Sequence, residues 1–193
     1  MGKSRLEAFS DGVIAIIITV MVLELKAPHE AGLAALGPLV PLFLSYVLSF
    51  VYVGIYWNNH HHMLHAAKRV SGAVLWANLH LLFWLSLFPF TTAWIDETHF
   101  ATVPVAVYGV VLMMAAVAWY NLARCLIAVN GEQSALATAF GKDRKGQISI
   151  VLYAAAIAAS FENRWLALAV YVFVACLWFI PDRRIEVALE AGE

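Results

Sequence analysis

The chain has 193 residues, of which 63% are hydrophobic and 13% charged, with a mean hydropathy of +0.78 and a formal net charge of −1. An average soluble domain carries about 25% charged residues, so this composition excludes an ordinary soluble enzyme and a disordered chain alike. The near-zero net charge offers nucleic acid no general attraction, and no nucleic-acid partner is expected.

Charges and turn residues divide the chain into six apolar segments, at about 5–25, 39–58, 70–95, 101–129, 147–161 and 165–180. Each approaches the ~20 residues that cross a bilayer as a helix. The expected fold is therefore all-α: one six-helix transmembrane domain over 1–193, with no second domain, low-complexity tract or internal repeat.

The first segment carries the most information. Ser4 and Glu7 fit a capping box, which predicts a helix starting at Arg5. From there to Leu25 is 21 residues, or ~31 Å of helix. Lys3 and Arg5 precede an apolar core as in a signal peptide, but Glu7 and Asp11 interrupt it and no small-x-small site follows. A retained first helix is the expectation.

At 100° per residue, Phe9, Gly12, Ile16, Val20 and Leu23 fall on one line, with Thr19 beside it and Arg5 continuing it. In so apolar a span, the default role of such a stripe is to face lipid or core. Ser10 and Asp11 point toward other helices. An acid within a span costs ~2.5–3.5 kcal/mol on insertion scales, so Asp11 needs a partner. A structural pairing is preferred for it over a proton or cation site.

The second segment ends in Trp57, Asn58, Asn59, His60, His61, His62 and His65. His61 and His65 lie four apart and His62 and His65 three apart, a spacing at which a helix can present two metal ligands. No nearby carboxylate or thiolate completes a four-ligand site. A hydrogen-bonding network at a helix end, reaching Asp11 and Ser10, is the preferred reading, and no bound metal or cofactor is expected. The competing reading is a proton- or metal-coupled transporter that uses His60, His61, His62, His65 and Asp11.

In the third segment, Asn78 and His80 are candidates for helix–helix hydrogen bonds. The connector 130–145 is the only one long enough to fold by itself. The fifth segment is short and can extend into Gly146 and the bases before it. Cys125 and Cys176 lie in apolar runs and read as small core residues. Trp94, Trp165 and Trp178 stand near span ends, as interfacial anchors do.

Basic residues sort by side. Lys3, Arg5, Lys68, Arg69, Arg124, Lys142, Arg144, Lys145, Arg183 and Arg184 share the side of both termini, while the other side carries only Lys26 and Arg164. Ten against two predicts that both termini are cytoplasmic. The opposite side holds Glu24, Glu30, Asp96, Glu97 and Glu162, which would concentrate cations there. No phosphate-binding loop, dinucleotide turn, zinc-protease helix, nucleophile elbow or TVGYG filter occurs, so no catalysis is expected.

The run Arg5-Leu6-Glu7-Ala8-Phe9-Ser10-Asp11-Gly12 resembles the R-x-x-x-F-S-D signature of the TMEM175 family, the lysosomal potassium channel and its prokaryotic relatives. Ile16 to Leu25, and Trp57 with His60 and His61, are similar to that family too. The resemblance implies a passive, potassium-preferring channel in the cell membrane, assembled as a homotetramer around its first helices. It implies that Ile16 forms the narrowest ring, with Val20 and Leu23 above it, and that Thr19 and Gly12 belong to the pore wall. Arg5, Phe9, Ser10, Asp11, Trp57, His60 and His61 would pack the helices near the cytoplasmic mouth. Val20 stands where relatives can carry leucine, which implies a wider second ring.

Overall fold

The computed structural model describes residues 2–29, 31–140 and 143–179. Glu30, Lys142, Arg183 and Arg184, and the end of the last apolar segment at Ile180, lie outside the described residues. The helices are α1 (Lys3–Leu23), α2 (Val40–Ala66), α3 (Gly72–Ser86), α4 (Phe88–Glu97), α5 (Thr102–Asn130), α6 (Ala135–Phe140), α7 (Arg144–Ser160) and α8 (Arg164–Phe179). A 3-10 helix over Leu33–Leu39 leads into α2. The described residues contain no strand. Among the described residues, four stretches are long and apolar enough to cross a membrane: Lys3–Leu23, Leu33–Ala66, Gly72–Glu97 and Thr102–Asn130.

Three local expectations change. The capping box of Ser4 and Glu7 does not form, because α1 starts earlier with Gly2 as its cap and Ser4 is already helical. Glu7 instead lies 3.8 Å from Lys3, one turn away. The second helix does not stop near Asn58 but runs to Ala66, so all four clustered histidines are helical. The third apolar segment is two helices, not one. Pro89 has no N–H to continue the ladder, so the chain breaks at Leu87 and restarts with Pro89 in the first turn of α4. The connector after α5 folds into α6, which sets Phe140 against Trp119 at 6.2 Å between ring centroids.

The core is built around α5, whose buried face includes Ala106, Gly109, Ala115, Ala116 and Ala118. Small side chains let α3, α7 and α8 approach its backbone closely. At Gly109, an added Cβ would lie 2.0 Å from the Tyr171 hydroxyl and 2.8 Å from Ile157. The space that glycine leaves is filled by the Tyr171 ring, whose hydroxyl donates to the Val105 carbonyl.

Helix ends are tied by side chains. Asn130 Oδ1 accepts from the backbone N–H groups of Lys68 and Arg69, and its amide donates to the Arg69 and Leu126 carbonyls. Lys3 Nζ donates to the His65 carbonyl at 2.9 Å. These contacts gather the start of α1, the end of α2 and the end of α5 at one end of the bundle. At the other end, Ser45 donates to Asp96, and Phe100 packs on Trp165. Asp143 caps α7 by accepting from Gly146 N at 2.7 Å.

Other side chains fall elsewhere than anticipated. Cys125 is half-buried and packs against the core, whereas Cys176 is exposed and is not a core residue. Trp178 donates across to Ser149 at 2.9 Å and so joins α8 to α7. His80 accepts from Trp84 within α3 rather than bridging helices.

Gly109→Ala is expected to destabilise the protein by about 1–3 kcal/mol, because Tyr171 and Ile157 must move. Thermal unfolding in detergent checks this; a melting temperature equal to wild type would refute the packing role of Gly109.

Candidate functional site: the exposed face of the first helix

The rotation of α1 is set from its buried side. Leu6, Ser10, Ile14, Ile17 and Met21 face the bundle. Their spacing of three and four residues places them on one face of a helix. Ser10 is wholly buried, and so is Asn78, while His60 is 1% exposed. The three form a directed relay. His60 Nε2 pairs with Asn78 Oδ1 at 2.7 Å, Asn78 Nδ2 donates to Ser10 Oγ at 2.9 Å, and Ser10 Oγ donates to the Leu6 carbonyl at 2.8 Å. Each polar atom named has a partner, as burial requires. Because Asn78 Oδ1 is an acceptor, the His60 nitrogen facing it carries the proton. The relay links α2, α3 and α1 at one depth.

Asp11 lies beside the relay, not in it, and accepts from Trp57 Nε1 at 3.1 Å. The His61 ring stacks between Trp57 and His65, with centroids 6.2 Å away on each side. Sequence pattern had suggested that the histidines would answer Asp11 and Ser10. The structure divides that work: His60 reaches Ser10 through Asn78, and Trp57 satisfies Asp11. Among the described residues, no group of three or more His, Cys, Asp or Glu is placed to hold a metal ion.

With those residues turned inward, the opposite face of α1 is open. Phe9 is exposed, Ile16 is 62% exposed, Val20 39% and Leu23 76%. Arg5, Gly12 and Thr19 share this exposure, as do Ala8, Ala15 and Val22, which the stripe did not include. Thr19 Oγ1 donates to the Ile16 carbonyl within the helix, at 2.9 Å. Its methyl and the Ile16 side chain are thus presented together. An added Cβ at Gly12 would meet nothing, so bare backbone faces outward there.

Sequence reasoning missed the neighbour of this face. A groove of about 700 Å³ separates α1 from α4 and is lined by Ile16, Val20 and Glu24 on one side and by Phe90, Trp94 and Glu97 on the other. Both α3 and α4 pack on α1, and the helix break falls between them, just before Pro89. Pro89 itself was the available signal, because a proline within a span marks a change of direction.

The whole chain was compared with known proteins. A family model described as "Endosomal/lysosomal potassium channel TMEM175" matches residues 5–89. A protein of Chryseobacterium sp. (strain P1-3) named as a potassium channel is 54% identical, over 98% of this chain and 99% of its own length. The crystal structure of a lysosomal potassium-selective channel TMEM175 homolog from Chamaesiphon minutus superposes with a TM-score of 0.77 at 29% identity, covering 92% of this chain and 96% of that one. The human endosomal/lysosomal proton channel TMEM175 is 38% identical, over 43% of this chain and 19% of its own length. The helical fold and the full-length relatives define a potassium channel of the membrane. The chain belongs to the TMEM175 family.

Asn78→Leu is expected to cost about 1–3 kcal/mol or more, because it strands the buried groups of both Ser10 and His60. Trp57→Phe breaks a more exposed bond and is expected to cost under about 1 kcal/mol. Thermal melts of the two variants side by side check the ranking; equal losses would mean that the relay is not the stronger tie.

Proposed function

We propose that four copies of this chain surround a pore lined by the exposed face of α1. The chain is a potassium channel, as are its full-length relatives by name. The reading of the pore wall rests chiefly on one observation. The relay and the buried positions of α1 leave Ile16, Thr19, Val20 and Leu23 together on an uncovered face.

Ile16 forms the narrowest ring, with Val20 and Leu23 in turn toward the end where Glu24 lies. A ring of branched aliphatic side chains holds no carbonyl cage. When narrow it expels water, and an ion cannot pass without its hydration shell. When slightly wider, a partly dehydrated ion crosses. Potassium gives up water at lower cost than sodium, which gives a preference without a fitted binding site. Val20, slimmer than leucine, makes the second ring wider. Gly12 and the small Ala8 and Ala15 allow neighbouring first helices to approach. Carboxylates of Glu24 and Glu97 at the outer end raise the local concentration of cations.

In this reading each subunit crosses the cell membrane six times, with α7 and α8 as the shorter spans and both termini in the cytoplasm. Lys3, Lys68 and Arg69 share the end of the bundle that would lie there, which fits the basic bias of cytoplasmic loops. Arg5, Phe9 and Asp11 pack the cytoplasmic mouth. Permeation is passive, with no catalytic group or cofactor. A coupled transporter built on the histidines is the weaker reading, because His60 is committed to Asn78 and Asp11 to Trp57.

Purified protein in liposomes is expected to pass potassium down its gradient and to show one oligomer of four copies by mass. Ile16→Asn is expected to raise the flux several-fold and to lower the potassium/sodium permeability ratio, because a polar ring stays wet. An unchanged ratio would remove Ile16 from the constriction. Replacing His61, His62 and His65 together by Ala is expected to leave passive flux in place; flux that then disappears would favour the transporter.

A further inference from the structure

A cavity of about 20 Å³ lies inside the bundle, away from α1, between α2, α5, α7 and α8. Asn59, Trp119, Ser149, Tyr153 and Trp178 are among the residues that line it. Trp119 is 3% exposed, and its indole N–H is buried with no hydrogen-bond partner. The ring is held edge-on by Tyr56 and by Phe140, with centroids 6.2 Å away in both cases. These rings pack against the indole on two sides. Buried donors left unmade are costly and rare in native proteins, so this one needs an account.

Two separate hydrogen-bond groups end at the same cavity. Tyr153 donates to the Tyr52 hydroxyl at 3.2 Å, and Tyr52 donates on to the Tyr171 carbonyl. Trp178 donates to Ser149, which donates to the Lys145 carbonyl. Asn59 uses its Nδ2 on the Ile55 carbonyl at 2.8 Å, which leaves the amide oxygen as an acceptor. The lining thus supplies one orphaned donor and several oxygens with lone pairs to spare.

A water molecule needs roughly 10–15 Å³ of such space and two to four polar partners. The cavity meets both conditions and is too small for an organic ligand. A bare cation is disfavoured, because the unpartnered group on the lining is an N–H donor. We propose that the cavity is a dedicated site for one ordered water, which accepts from Trp119 Nε1 and donates to Asn59 and Tyr153. The water then ties α5 to α2 and α7 at this level of the bundle and satisfies the Trp119 indole N–H. The site is independent of the pore reading, since none of its residues belongs to α1.

The test uses full-length protein labelled with ¹⁵N in its tryptophan indoles, in lipid nanodiscs. The Trp119 resonance is assigned by its loss in Trp119→Phe and, should that variant not fold, by residue-specific triple-resonance labelling. The expected result is a cross-relaxation peak between the Trp119 indole proton and a long-lived water. A high-resolution structure is expected to place one solvent peak about 2.9 Å from Nε1. Ala116 also lines the cavity, so Ala116→Val is expected to expel the water and abolish the peak. Absence of both the cross-relaxation peak and the solvent density in wild type overturns the proposal. So does a structure in which a protein side chain accepts from Nε1 directly.

Discussion

The relay from His60 through Asn78 to Ser10 is the constraint on which the rest of the arrangement depends. A helix as apolar as α1 has no strong hydrophobic reason to present one face to protein and another to lipid, because both surroundings are greasy. Packing alone would leave its rotation loosely determined. A buried polar triad removes that freedom, since any rotation that withdraws Ser10 leaves Asn78 short of a partner in a low-dielectric interior. The outward direction of Ile16, Val20 and Leu23 follows from where Ser10 must point.

The second determinant is close packing around α5. Alanines and Gly109 bring the backbones of α3, α7 and α8 near, and the bulk of the core is supplied by aromatic rings from the neighbours. Tyr52, Tyr153 and Tyr171 from the neighbours meet Tyr108 of α5 itself, with centroids about 6 Å apart. Their hydroxyls bond to one another, to Ser49 or to carbonyls. This half of the chain packs closely behind α1. Both α3 and α4 also pack on α1, and the groove beside Ile16 and Val20 lies between α1 and α4.

Much of this was legible in the sequence, for definite reasons. Helix positions follow from the length of the apolar runs, and the stripe on α1 follows from a period of 3.6 residues. The need of Asp11 for a partner follows from the cost of a charge in a span. Other features were hidden because they depend on residues distant in sequence. The capping box of Ser4 and Glu7 is a local pattern, yet the chain starts its helix sooner, with Lys3 reaching the end of α2. The histidine run suggested a cluster acting together. A helix fans four such residues around its axis, so only His60 turns inward while His61 and His65 stack outside.

By itself the sequence determined that this is a helical membrane protein with an apolar face on its first helix. Composition and periodicity suffice for that, because they reflect the solvent and the helix, not particular neighbours. Only the tertiary structure decided which partner each polar group takes: Asn78 between Ser10 and His60, Trp57 for Asp11, Ser45 for Asp96. Hydrogen bonds act over about 3 Å, and the two ends of these bonds stand 18 to 68 residues apart along the chain. No local pattern encodes such pairings, and they appear only when the helices have been brought together.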